Sequence, residues 1–455
     1  VSDVQISDRR EGTTGDRRGG HRRQPLAATT RRAAGRSAAG PPAGVSATSI
    51  LTNCARELLG LERTDLARML SNLALAEREP NADMLSLQAS LLDRGGDWDN
   101  SLACLRAAHE LSPADPQVRL NLAISLLRRG EYREGFALYE ARIDKPGWSG
   151  LATRESRAAL RHLMLRPGQA VEGRNILILA EQGLGDGIMF ARYIGLLVER
   201  GARVAVACNA VIRPFFERIA GIDTILSPPG NAPFAQINLS ALRFDAWVPL
   251  LSLTSWLGNL AEGVGDGNPY WSPDRGRVAG WRNRFAELGR RGTIKVGLVF
   301  QANPDGASFA EKSMTAADVL PLLSLPAIDF VNLQYGRAGE ALAEAAPGII
   351  NPFPAEVPLD QYAAAVAATD LLISVDTMAA HCAGAMGHAT WLAVPYSPHW
   401  AWGLSGDSTR WYPSMRIFRQ TGRRSWSAVI EAMAAQLGRP QPAWQTDAMQ
   451  IEPLS

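Results

Sequence analysis

The chain has 455 residues, 46% hydrophobic and 20% charged, with a formal net charge of +2. That length predicts two or three domains of ordinary globular composition. The near-neutral balance argues against a dedicated nucleic-acid binder, and with no run of eighteen apolar residues no transmembrane helix is expected.

Residues 1–47 are rich in Arg, Gly, Ala and Pro and low in large apolar side chains, so this stretch is expected to be a disordered tail. It has no apolar signal core, and at most peripheral contact with an anionic membrane is expected of it. Four cysteines, Cys54, Cys104, Cys208 and Cys382, lack CxxC spacing. They read as reduced thiols of a cytoplasmic protein, not a disulfide framework or zinc site.

Residues 48–150 are helical and repetitive. Ala89 matches Ala123, Gly96 matches Gly130, Trp98 matches Tyr132 and Ala103 matches Ala137, each 34 residues on. That period, with small residues where helices cross and an aromatic opening the second helix, resembles the tetratricopeptide repeat. The segment from Leu66 to Pro80 reads as the second helix of an earlier, degenerate unit. Such an array offers a face to a protein partner or caps the next domain. A chain starting near Thr153 is expected to keep the downstream binding site.

Thr153 to Gly173 reads as a helical connector. Strand and helix then alternate, first over 151–270 and again over 271–440, which predicts two doubly wound parallel sheets before a tail at 441–455. Asn175 to Ala180 is the first buried strand. It runs into Glu181, Gln182, Gly183, Leu184, Gly185, Asp186 and Gly187, with a helix predicted from Ile188. The spacing is GxGxG rather than the dinucleotide GxGxxG, and no phosphate loop or HExxH is present. The glycines are expected to let the chain turn so that Asp186 projects into the cleft. A carboxylate there suits a general base on an acceptor hydroxyl. It equally suits a plain helix-start charge, which the dipole would keep ionised and thereby weaken as a base.

In the second half, Leu371 to Val375 is a buried strand and Met378 to Met386 a helix, joined by Asp376 and Thr377. A strand turning directly into a helix aims free N–H groups at one spot, which suits phosphate. Thr377 and His381 lie four apart and share a face. Gly384 is small enough for a ligand to approach the backbone. A helix cap and a packed core histidine are the plainer alternatives for Thr377 and His381.

AEQGLGDGIMFARY, VGLVFQANP, FVNLQYG, LLISVDTMAAHCAGAMG, PHWAWGL and WYPSMRIFRQ occur in this order. Together they resemble bacterial glycosyltransferases that join tetratricopeptide repeats to a heptosyltransferase-like domain of glycosyltransferase family nine. The resemblance implies an α/β GT-B fold, two Rossmann-like domains preceded by the all-α repeat segment. It implies an inverting transferase that needs no metal or other cofactor and uses a nucleotide-sugar donor and a glycan or protein acceptor. Asp186 would be the catalytic base, with Glu181, Gln182, Gly183 and Gly185 on the acceptor side. Lys312, Asp376, Thr377, His381 and Gly384 would bind the donor, with Lys312 and His381 as candidate positive groups for the diphosphate.

The chain departs from the family pattern at Phe300-Gln301-Ala302-Asn303, in the stretch from Asp305 to Glu311, which is poor in positive charge, and at His399, where an acidic residue is usual. These departures leave a non-catalytic repeat scaffold as the alternative expectation.

Overall fold

The computed structural model describes residues 47–77, 80–145, 148, 160–228, 243–257, 267–306 and 308–438. The expectations for 1–46, for the tail at 441–455 and for the connector up to residue 159 lie outside these residues.

Three helical hairpins come first: α1 (Ala47–Gly60) with α2 (Thr64–Glu77), α3 (Ala82–Gly95) with α4 (Trp98–Leu111), and α5 (Pro116–Arg128) with α6 (Tyr132–Tyr139). Thr64, Trp98 and Tyr132 open the second helices at an even 34-residue spacing, so the degenerate unit is a full hairpin. Side-chain caps start α3, α4 and α5: Asn81, Asp97 and Asp115 each accept from a first-turn backbone N–H. Gly96, at φ 78°, ends α3 in the left-handed conformation that glycine adopts without strain. Ala89 and Ala123 are buried at the helix crossings, as the repeat pattern requires.

The first α/β unit has β1 (Asn175–Leu179), β2 (Arg203–Ala207), β3 (Ile222–Leu226) and β4 (Ala246–Pro249), parallel and in the order β3-β2-β1-β4. The second has β5 (Ile294–Val299), β6 (Ile328–Asn332), β7 (Leu371–Val375), β8 (Thr390–Val394) and β9 (Met415–Arg419), parallel and in the order β6-β5-β7-β8-β9. Parallel strands covered on both faces read as near-continuous apolar runs, as β1, β7 and β8 do. The helical segment followed by two parallel-sheet α/β units is the architecture expected from the sequence. No helix among the described residues is long and apolar enough to cross a membrane.

The described part of the connector departs from expectation. Leu160 is helical, and residues 161–173 hold only a short 3-10 turn at Arg161–Leu163. Met164 then bridges to Trp247, and Leu165 N–H donates to the Trp247 carbonyl. Pro167 and Gly168 disfavour a helix, while the open edge of β4 offers backbone partners. The helix after β1 also starts earlier than expected: α7 (Leu184–Ala191) has Gly183 at its N-cap, so Gly185, Asp186 and Gly187 lie in its opening turns. It breaks at Arg192-Tyr193 before α8 (Ile194–Glu199).

The remaining helices of eight residues or more are α9 (Arg275–Leu288), α10 (Ala316–Leu323), α11 (Gly336–Ala345), α12 (Leu359–Ala367), α13 (Met378–Ala385) and α14 (Ser427–Leu437), beside single turns at Arg213–Phe216, Leu253–Trp256 and Phe309–Lys312.

The repeats are built into the core of the α/β body. Phe136 of α6 meets Phe190 of α7 at 6.1 Å between ring centroids, and Trp400 and Trp411 of the second unit at 5.8 and 6.4 Å. Tyr132 meets Trp411 edge-on at 6.1 Å. One aromatic cluster thus unites the last hairpin with both sheets, and such pairs contribute about 0.5–1.5 kcal/mol each beyond their buried area.

Candidate active site

The carboxyl ends of β1 and β7 lead into α7 and α13, and these two helices pack against each other. Gly185 of α7 lies directly on the His381 ring: a Cβ there would sit 2.6 Å from His381 Cδ2. Only glycine permits this approach, and it brings the two helix starts together.

On the second unit, Asp376 is buried and meets Lys312 Nζ at 3.4 Å and His381 Nε2 at 3.9 Å. Burial favours its neutral form, but the charges of Lys312 and His399, with His381, outweigh this and hold the carboxyl below its ordinary range. Thr377 is the N-cap of α13 and makes no side-chain cap. Its hydroxyl is 3.1 Å from the Ser374 hydroxyl instead. The opening N–H groups of α13 therefore lack a cap from this side chain.

His381 is buried, with Nδ1 hydrogen-bonded to the Tyr412 hydroxyl at 3.0 Å and its ring 5.1 Å from Trp402. Burial pushes its pKa down to about 3, against the pull of Asp376. The expected positive charge is therefore absent near neutral pH, and His381 acts as a neutral hydrogen-bonding group. Gly384 also departs from expectation. A Cβ there would lie 2.3 Å from the Tyr412 ring and 2.8 Å from Met415 Cε, so its smallness serves packing and not ligand approach.

On the first unit, Asp186 is half-buried. Burial raises its pKa and nearby Asp376 adds to the rise, against His399, the Gly183 N–H and Lys312. The expectation that the helix dipole would weaken this base is thus reversed: desolvation wins and makes the carboxylate more basic. Gln182 and Gly183 are exposed beside it.

Glu181, expected on the acceptor side, is committed elsewhere. Its Oε1 accepts from Arg142 Nη2 at 2.9 Å and Nε at 3.3 Å, and Arg142 also reaches Glu140 and Ser252. Arg142 follows α6, so this buried network bolts the repeats to the turn after β1.

Several site residues lacked a local sequence signal. His399 lies close enough to Asp186 and Asp376 to influence both. Its only forewarning was its place as a departure from the family pattern. From far along the chain, Arg423 and Arg424 both pair with Glu311, at the end of the stretch that is poor in positive charge. Arg424 also pairs with Glu62, in the turn between α1 and α2.

Two histidines, His381 buried and His388 half-buried, make stability pH-dependent. His388, bonded to Thr369, is also held neutral by burial, with its pKa pushed down to about 4. An unfolded chain takes up these protons near pH 6.5, so stability is full above that value and is lost as pH falls toward 4. Urea midpoints are expected to drop between pH 7 and 4.5, and His388→Gln to shrink the drop; a drop of unchanged size in the variant would contradict this.

No family model matches the chain. Protein FlbA of Caulobacter vibrioides is 29% identical over 367 residues, covering 75% of this chain and 59% of that protein. Cellulose synthase 2 operon protein C of Komagataeibacter xylinus is 43% identical over 81 residues, 18% of this chain and 6% of that protein. The chain thus spans less than two thirds of either curated relative.

Among solved structures, E. coli ADP-heptose lipopolysaccharide heptosyltransferase II aligns over 58% of this chain and 100% of its own, at 17% identity and a TM-score of 0.41. A glycosyl transferase family 9 structure from Veillonella parvula aligns over 55% and 87%, at 12% and 0.39. The O-GlcNAc transferase of Thermobaculum terrenum aligns over 89% and 93%, at 15% and 0.29.

Proposed function

We propose that this chain is an inverting glycosyltransferase that needs no metal. It moves a sugar from a nucleotide-sugar donor held by the second unit to a glycan or protein acceptor on the first. One observation carries the reading: Asp186, a carboxylate made more basic by burial, opposes Lys312, Asp376 and the start of α13 across the contact between the units. The ordered motifs that resemble family nine agree with it.

In this scheme Asp186 takes the acceptor hydroxyl proton as the oxygen attacks the anomeric carbon. The bond from that carbon to the donor phosphate breaks on the opposite face. The departing diphosphate is met by Lys312 and by the N–H groups opening α13. Neutral His381 contributes a hydrogen bond, and Asp376 keeps Lys312 in place and suits a donor hydroxyl. The exposed faces of the repeats would receive a protein partner, and the reaction would run in the cytoplasm, where a soluble nucleotide sugar is at hand.

A nucleoside diphosphate is expected to bind in the presence of chelator, measured by calorimetry across the common bases. Binding by none of them would favour the second reading, a non-catalytic scaffold. That reading draws on Lys312 being already paired with Asp376 and on Glu311 tying up Arg423.

A further inference from the structure

We propose that Tyr412, backed by Arg192, holds His381 in the tautomer protonated at Nε2, so that the imidazole faces the donor side of the site as an N–H donor. This rests on the reading of the site as a nucleotide-sugar site, and it concerns positioning residues that do not touch substrate.

The geometry is a stack of committed groups. Arg192 sits at the break after α7, its guanidinium carbon 4.7 Å from the Tyr270 ring centroid, 5.0 Å from Tyr412 and 5.4 Å from Trp411. Its Nη2 donates to the Trp411 carbonyl at 2.9 Å and its Nε to the Met189 carbonyl at 3.0 Å. The Tyr270 hydroxyl donates to the Ile188 carbonyl at 2.8 Å. Gly384 leaves the space in which the Tyr412 ring lies.

Two neighbours choose the proton's place. On one side of the imidazole, Nε2 faces the Asp376 carboxylate at 3.9 Å, where a proton is attracted and a bare lone pair repelled. On the other side, Nδ1 lies 3.0 Å from the Tyr412 oxygen. With the proton on Nε2, Nδ1 must accept, so Tyr412 must donate. A guanidinium beside a phenol polarises its O–H and strengthens that donation. The rival arrangement has Tyr412 donating to the Tyr270 oxygen and accepting from Nδ1–H. It would turn the Nε2 lone pair toward the negative charge of Asp376. The heavy atoms are the same in both, and the proton is what distinguishes them.

The test is a multiple-bond proton–nitrogen spectrum of full-length protein labelled with nitrogen-15 histidine. The chain has six histidines, and those signals lost in His381→Gln identify the residue. The expected wild-type pattern is a protonated Nε2 and an accepting Nδ1. In Tyr412→Phe the preference should weaken, and nucleoside-diphosphate affinity should fall ~3–10-fold. A wild-type protein protonated at Nδ1, or a folded Phe variant with an unchanged tautomer, would overturn the proposal. The wild-type spectrum needs neither variant stability nor a nucleotide. Failure of every nucleotide to bind would therefore count against the proposed function and not against the tautomer.

Discussion

Asp186→Asn is expected to slow sugar transfer by about 10²–10⁴-fold while leaving nucleoside-diphosphate affinity near that of the wild type. Asn keeps the shape of the carboxylate, but it cannot accept the acceptor proton. Asp186 belongs to α7 of the first unit, whereas Lys312, Asp376 and the opening of α13 belong to the second. A base on one side of the contact has little part in gripping the nucleotide on the other. The wild-type rate should also fall on acidification through a pKa above the ordinary carboxylate value, because burial makes this group harder to ionise. The Asn variant should lack that limb. Steady-state rates with a nucleotide sugar, beside calorimetry on the same samples, check both halves. A folded Asn variant with near wild-type turnover would sink the assignment. His399 would then be the next candidate, since Glu181 is held by Arg142.

The second large effect is on stability. Arg142→Ala is expected to cost about 3–5 kcal/mol, because it leaves the buried Glu181 carboxylate without its cation. Phe136→Ala should cost a similar ~3–5 kcal/mol by opening a cavity among Phe190, Trp400 and Trp411. Both residues lie in the repeat segment, yet the tryptophans that report the loss lie in the second α/β unit. Urea unfolding followed by tryptophan fluorescence measures it. A chain starting near Thr153 lacks both residues and should be poorly folded, contrary to the independence that the sequence suggested. A truncated chain with the wild-type urea midpoint would show that the shared aromatic core contributes little.

Most sheet strands were legible because they are short, largely apolar runs with a turn signal behind them. β7 begins and ends where the residue pattern put it. The repeats were legible through their period. β9, Met-Arg-Ile-Phe-Arg, was passed over because its charges interrupt the run and it lies at a sheet edge, where one side meets solvent. α9 was passed over because it buries only Phe285 along its length and so lacks an apolar stripe.

In the site, Asp186, Asp376 and Thr377 announced themselves by standing at strand–helix junctions. The state of His381 did not, since its neutrality comes from burial beside Trp402 and Tyr412, which no spacing reveals. Nor did the fate of Glu181, whose partner lies 39 residues back in another fold element. Local pattern reports which groups the backbone aims at a place. It does not report which distant side chains are already there.

The pairing of Glu62 with Arg424 joins residues 362 positions apart. During synthesis the first hairpin leaves the ribosome with its partner still unmade, and some 362 further residues must follow before that contact can form. Closing so long a loop costs entropy that only the finished contacts return. The repeat hairpins, rich in local contacts, can form early. Their Tyr132 and Phe136 then wait, exposed, for Trp400 and Trp411 at the far end of the chain. Assembly of this core thus waits on residues made long after the repeats, and until then the aromatic surface of the repeats is open to misplaced partners.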